Sequence, residues 1–341
     1  MTRRRSKRSD HQADPLGDMI ALGAGLAVGW GLLQAGWIAK ELASHDVRHT
    51  LAVPMNTAAP GISFEREAKA DQFTRVHQVK DGIEWISYHP THPRYETPIL
   101  MVHGMWHGAW CWQSWQEILA AEGWESHAIS LPGHGLSPVQ VPIARCTLDY
   151  YLSFVRDAVE SLPCLPVLMG HSMGGALTQW YLRYVGNLPG AVLVAPWALY
   201  DGFMESIPLF WKLDPVGCLL TALTFRAAYV RTPERAANAL LGPDAVVSPE
   251  NLYNQLGPES VLVMFQHAIP WKIRSDLTTP IFYLSGEIDA VIPERAARRN
   301  ANAYHADYVV VKHAAHNLMM EHNYRETADA IRVWLENKQL A

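Results

Sequence analysis

The chain predicts an α/β fold, a mostly parallel sheet flanked by helices and interrupted by a helical cap, and three observations carry that prediction. Short apolar runs of strand length alternate with amphipathic stretches of helix length over residues 72–196 and again over residues 280–341. A serine stands between glycines in Gly170-His171-Ser172-Met173-Gly174, directly after the apolar run Leu165-Pro166-Val167-Leu168-Met169. Between the two alternating regions, residues 197–279 break the pattern over a length too great for a structureless loop in a compact domain.

Taken in chain order, residues 1–18 are a basic tail with Arg3, Arg4, Arg5, Lys7 and Arg8. Residues 19–39 then carry no charge between Asp18 and Lys40, and at about 1.5 Å per residue they are just long enough to cross a bilayer as a helix. This is a candidate membrane anchor. Trp30 and Trp37 suit an interfacial depth and Gly25 with Gly29 form a small-xxx-small pair, although five glycines and Gln34 keep the stretch only moderately apolar. A cleaved secretory signal, which would have a shorter apolar core, and a buried or surface-lying helix are the other readings. Lys40 and Arg48 are the only nearby cations after the segment, so the bias puts the N-terminus in the cytoplasm and the rest of the chain across the membrane. A secreted or periplasmic location is the alternative. Residues 40–71, with Pro54, Pro60 and Gly61, read as a linker or N-terminal excursion.

The core then opens with a hairpin, Phe73 to Val79 and Ile83 to Tyr88 around Lys80-Asp81-Gly82. Pro98 to Val102 is a buried strand, Trp115 to Ala121 a helix, Glu125 to Ser130 a strand, Leu148 to Leu162 a helix after Thr147, and Ala191 to Ala195 a strand. Alternation of this kind implies parallel strands covered on both faces. In the cap, Thr232-Pro233-Glu234, Ser248-Pro249-Glu250 and Gly257-Pro258-Glu259 each read as a helix start, and Trp197, Phe203, Phe210, Trp211, Leu219, Leu220 and Phe225 supply either the cap's own core or an apolar acyl pocket.

The glycine-flanked serine reads as a nucleophile elbow, a sharp strand-to-helix turn that lifts the Ser172 hydroxyl clear of the sheet. A serine hydroxyl is a weak nucleophile at neutral pH, so it requires a histidine base and an orienting carboxylate later in the chain. Asp289 follows the strand Ile281 to Ser285, and His316 follows the strand Tyr308 to Val311. Loops at the carboxyl ends of parallel strands converge on one edge, so these three residues can meet there. Glu287 is the rival acid and His313 the rival base; His313 follows its strand too closely to fold back over the edge, and His322 reads as a surface helix residue. The oxyanion donors are assigned to the backbone N–H groups of Met105, after His103-Gly104, and of Met173. His103, Gly104 and His171 are expected at the edge of the site, against substrate.

On these motifs the chain resembles the α/β-hydrolase fold family from about residue 72 to 338. Leu131-Pro132-Gly133-His134-Gly135-Leu136-Ser137 looks like the loop after the fourth strand in lipase-like and peptidase-like members, which often carry an aspartate where this chain has Ser130. The segment from His103 to Trp112 is similar to the plant methylesterase and hydroxynitrile lyase branch. The lyases have a threonine in place of Gly104 and a lysine in place of Asn317, so both departures favour ester hydrolysis. Aspartate-nucleophile dehalogenases and epoxide hydrolases are disfavoured by Ser172. The resemblance implies a Ser-His-Asp hydrolase of carboxylic esters with an apolar acyl group, monoacylglycerol- or lysophospholipid-like, without a cofactor. Hydroxynitrile lyase, amidase or acyltransferase activity on the same residues, or a catalytically silent binding protein, are the alternatives.

Composition narrows the rest. With 341 residues and 49% apolar, the chain can bury a large core. A net charge of −5, with the basic residues local to the N-terminus, argues against nucleic acid. Cys111, Cys146, Cys164 and Cys218 lack ligand spacing, and none of the sixteen histidines forms a His-Glu-x-x-His pair, so no metal is expected.

Overall fold

The computed structural model describes residues 33, 36–40, 42, 46–52, 64–199, 202–269 and 271–340, with the backbone alone at 202–207. Two compact units are distinguished, Met1–Ser44 and His45–Ala341, and every element below belongs to the second. Most of the candidate anchor at 19–39 lies outside the described residues; among the described residues no helix is long and apolar enough to cross a membrane.

Among the described residues nine strands form one sheet in the order β1-β2-β3-β5-β4-β6-β7-β8-β9. They are β1 Phe64–Lys69, β2 Phe73–Lys80, β3 Ile83–Pro90, β4 Ile99–Val102, β5 Ser126–Ser130, β6 Val167–His171, β7 Gly190–Val194, β8 Ile281–Gly286 and β9 Asp307–Val311. The first three and β5 pair antiparallel, and β4 to β9 pair parallel. The parallel strands β4, β6, β7 and β8 are buried along their whole length, which is why they read as unbroken apolar runs. Strand β1 lies within the segment read as a linker. It is an edge strand whose residues after Phe64 are all exposed and mostly charged, so its sequence carries no core-facing alternation.

Helices α1 Val47–Ala52, α2 Gln113–Ala121, α3 Leu148–Glu160, α4 Met173–Tyr184, α10 Glu294–Ala303 and α11 Tyr324–Asn337 belong to the core. The cap contributes α5 Gly202–Leu213, α6 Pro215–Thr224, α7 Pro233–Leu240, α8 Pro249–Tyr253 and α9 Leu262–Ala268. Two of the three expected helix starts are present: the Thr232 hydroxyl accepts from the Arg235 N–H, and Ser248 accepts from Asn251. The third is not a helix start. Residues 257–260 form a loop tied to the core, in which the Gly257 N–H donates to the Trp106 carbonyl at 2.7 Å and the Glu259 side chain is fully buried. The Glu259 carboxylate accepts from Tyr151 Oη at 3.1 Å, from the Ser260 N–H at 2.7 Å and from His134 Nε2 at 3.1 Å. A buried carboxylate needs several such donors to offset its lost hydration, and their presence makes this loop a fixed seam between cap and core.

Candidate active site

Ser172 stands between the end of β6 and the first residue of α4, with φ 52° and ψ −113°. Positive φ is costly for a residue with a Cβ, and the surroundings hold it there: the Ser172 N–H donates to the Val194 carbonyl at 3.0 Å and its own carbonyl accepts from Ala176 at 3.0 Å. The turn also requires close backbone approach. A Cβ on Gly174 would sit 2.1 Å from the Val102 carbonyl oxygen, so only glycine fits where α4 crosses the end of β4.

Asp289 lies in the loop after β8. One carboxylate oxygen accepts from the N–H groups of Val291 at 2.8 Å and Ile292 at 2.9 Å, and the other accepts from His316 Nδ1 at 2.8 Å. The backbone thus aims the carboxylate at the histidine, and Nε2 is left as the ring's free nitrogen. His316 is buried in the loop after β9 and lines a cavity together with Ser172, Met105, Trp106, His107 and His171. The same cavity is walled by Trp197, Phe210, Leu240, Met264, Val291 and Ile292, an apolar set drawn from cap and core. Its free space is narrow, with room for about one or two water molecules.

The rivals are elsewhere. Glu287 is held by Lys312 Nζ at 2.6 Å and by the His313 N–H at 3.0 Å, and the His313 ring is exposed. Lys312 beside Glu287 holds that carboxyl below its usual range. Neither residue lines the cavity.

Of the residues expected against substrate, His171 lines the cavity, Gly104 packs behind it and His103 does neither. His103 Nδ1 donates to the Gly104 carbonyl at 2.7 Å and Nε2 accepts from the Leu131 N–H at 3.0 Å, so both ring nitrogens bind backbone. Burial and the neighbouring His134 hold its pKa well below 6.5, and the ring is a neutral brace for the loop that carries Met105. A Cβ on Gly104 would lie 2.8 Å from His171 Nδ1 and 2.9 Å from Ser172 Cβ, so the strand end approaches the elbow as closely as glycine allows. His171 Nε2 donates to the His316 carbonyl at 3.1 Å, and burial beside His316 keeps this ring neutral as well. Met105 borders the cavity, and Met173 is the first residue of α4, where a backbone N–H has no intrahelical acceptor.

Three contributors lie outside the residues assigned to the site from sequence, although His107 falls in the His103 to Trp112 motif and Asn317 follows His316 directly. His107 takes the place expected of His103: it lines the cavity, donates from Nδ1 to the Met105 carbonyl at 2.7 Å and accepts at Nε2 from the Asn317 amide at 3.0 Å. Burial lowers its pKa to about 4. Glu321 accepts from the Ala315 N–H at 3.3 Å and the Gly242 N–H at 2.8 Å, fastening the His316 loop to the cap. The Asn317 N–H donates to the Leu240 carbonyl at 2.9 Å to the same effect. Among the described residues no group of histidines, cysteines and carboxylates is arranged to hold a metal ion. A larger open groove of about 650 Å³, between the β2–β3 hairpin and α3, shares no lining residue with the cavity at Ser172.

Comparison with known proteins gives one family. The Alpha/beta hydrolase family matches over residues 99–330. Among curated proteins, Probable esterase PIR7A of Oryza sativa subsp. indica is 30% identical over 169 residues, 48% of this chain and 62% of that protein. The pFDCC methylesterase MES16 of Arabidopsis thaliana is 30% identical over 113 residues, 31% of this chain and 42% of that protein. The chain therefore spans under two thirds of the length of these relatives. Among solved structures, a thermophilic esterase from Thermogutta terrifontis superimposes with a TM-score of 0.57 at 20% identity, covering 82% of this chain and 99% of that one, which shows the shared fold.

Proposed function

We propose that this chain, which belongs to the alpha/beta hydrolase family, is a serine hydrolase of carboxylic esters with an apolar acyl group. One observation carries the reading: Ser172 at the strained elbow and His316, which is hydrogen-bonded to Asp289 behind it, border a single apolar cavity. Ser172 Oγ attacks the ester carbonyl while His316 Nε2 takes its proton, and Asp289 stabilises the imidazolium through Nδ1. The N–H groups of Met105 and Met173 stabilise the oxyanion, the latter at the positive end of α4. His316 returns the proton to the departing alcohol, and water then deacylates the enzyme by the same route. The relatives named as esterase and methylesterase support ester cleavage over the lyase reading. The absence of space for a Cβ at Gly104, where the lyase pattern has threonine, points the same way.

The test is hydrolysis of p-nitrophenyl esters from acetyl to palmitoyl by the wild type and Ser172→Ala. The expected result is activity lost in the variant and an optimum above acetyl; equal activity in both proteins refutes the assignment of the nucleophile. Membrane attachment through residues 19–39 is a second part of the proposal, carried by that segment's lack of charge. It predicts release from membranes by detergent and retention in alkaline carbonate. Recovery in the carbonate-soluble fraction would refute it.

A further inference from the structure

We propose that the outer face of the cap, α6 with the end of α5, is a docking surface for an anionic lipid interface, a proposal that rests on the reading of the site as one for apolar esters. Helix α6 contains no charged residue, and its Asp214 N-cap is buried. Val216, Leu219 and Leu223, spaced three and four apart, fall on one face of the helix and are 55%, 58% and 47% exposed. Trp211 at the end of α5 is 60% exposed beside them. Among the described residues, an all-apolar outward stripe on a ten-residue helix has no counterpart in α7, α8 or α9. In water it exposes apolar area that association would remove.

The charges around the stripe select the occupant. Between residues 208 and 232 the single acid is Asp214, whose carboxylate is engaged by Arg231 Nε and Nη2, each at 2.7 Å, and by the Gly217 N–H at 2.9 Å. The exposed ions of this stretch are Lys212 and Arg226, both cationic, on a chain whose net charge is −5. An apolar helical face with an exposed tryptophan and flanking cations matches a layer of anionic headgroups over acyl chains. A second copy of the chain would instead bring the same cations together. The surface is also continuous with the cavity: Phe210 lines it, and the next residue, Trp211, is on the outer face. An ester held in the interface by its tail would therefore meet the cap helix that closes the cavity.

Hydrogen exchange on the full chain carrying Ser172→Ala tests this independently of hydrolysis and of any anchor elsewhere. Vesicles of equal parts phosphatidylglycerol and phosphatidylcholine are compared with phosphatidylcholine alone and with buffer. Exchange over residues 208–226 is expected to slow by roughly tenfold on the anionic vesicles, with most of that protection lost in Leu219→Glu/Leu223→Glu. Since both leucines are on the surface, the double variant should keep the wild-type melting temperature; a drop in it would move the comparison to Lys212→Glu/Arg226→Glu. Unchanged exchange in this segment on anionic vesicles overturns the proposal even if ester hydrolysis is established. Protection that appears without vesicles and grows with protein concentration overturns it in favour of self-association. Absence of hydrolysis by the wild type across the ester series, with protection intact in the exchange experiment, would refute the enzymatic reading and leave the lipid surface standing.

Discussion

Replacing Asp289 by Asn isolates the electrostatic and tautomeric role of the acid, because the geometry fixes how the amide must sit. In the wild type one oxygen accepts two backbone N–H groups, from Val291 and Ile292, and the other accepts from His316 Nδ1. An asparagine can keep its carbonyl oxygen on the two N–H donors and turn its NH2 to the histidine, or do the reverse. The reverse orientation sets donor against donor twice, at about 1–3 kcal/mol for each unsatisfied buried group, and so loses to the first. With the NH2 facing it, His316 must accept at Nδ1 and carry its proton on Nε2, the atom that should take the proton from Ser172. The same exchange in serine protease triads lowers kcat by about 10⁴, or about 5 kcal/mol in the barrier. We expect a loss of that order in kcat for Asp289→Asn, with KM changed little, in stopped assays on the best p-nitrophenyl ester. The variant should bury the same volume, so its circular dichroism should be unchanged. Glu287→Gln, at the partly exposed rival acid, is the companion and should stay within about twofold of wild type. A rate for Asp289→Asn within tenfold of wild type, or a collapse in Glu287→Gln, would refute the assignment.

Two further predictions follow from close packing and burial. Gly104→Ala puts a methyl group 2.8 Å from His171 and 2.9 Å from Ser172. It should cost about 1–3 kcal/mol of stability and lower kcat by about ten- to a hundredfold as the Met105 loop is displaced; wild-type kcat would show that this loop tolerates displacement. His267 is buried beside Trp180, Trp197 and Trp271, donates from Nε2 to the Ala198 carbonyl, and has its pKa lowered to about 4 by burial. The unfolded chain protonates it near the ordinary value of about 6.5, so the stability it contributes is complete above that pH and drains away as pH falls toward 4, by up to about 3 kcal/mol. His267→Phe should start less stable at neutral pH, having orphaned the carbonyl, but lose less between pH 6.5 and 4 in thermal melts. An unchanged pH slope would count against a neutral buried ring.

What the sequence discloses is whatever local chemistry dictates. The elbow is legible because its backbone demands glycine on both sides of Ser172, and the Gly174 contact with Val102 supplies the reason. The strand leading to Asp289 is legible because a buried parallel strand is continuously apolar, whereas β9, the edge strand before His316, is legible through its run of β-branched residues Val309, Val310 and Val311 although only Val311 is buried. Features set by tertiary contact are not. Glu259 sits in the same Pro-Glu context as two true helix starts, and only the arrival of His134 and Tyr151 makes it a buried carboxylate instead. His103 and His107 flank the same loop, yet the first binds backbone on both nitrogens and the second borders the cavity. Strand β1 is hidden for the opposite reason, since an exposed edge carries charge rather than a pattern.

The attachment of the cap determines where an acyl chain can go. A cavity with room for about one or two waters cannot take a long tail unless part of its wall moves. Met105 and Trp106 are fixed from the cap side by the Gly257 contact and the buried Glu259 seam, and the His316 loop is fixed through Leu240 and Glu321. Phe210 differs. It reaches the cavity from α5, a helix whose main packing partners α6, α7 and α9 belong to the cap, and its ring meets the core edge-on at Trp106. A longer tail should therefore displace Phe210 and run along α5 toward the outer face that exposes Trp211 and Leu219. Phe210→Ala removes a wall held by ring contacts with Trp106 and Tyr229 and should raise the ratio of palmitoyl to acetyl ester turnover by about tenfold, the equivalent of about 1.4 kcal/mol. It should leave the acetyl rate close to wild type, because the groups around Ser172 are held by other contacts. An unchanged ratio would mean that the tail leaves by another wall, and a fall in both rates would mean that Phe210 supports the catalytic groups rather than closing the cavity.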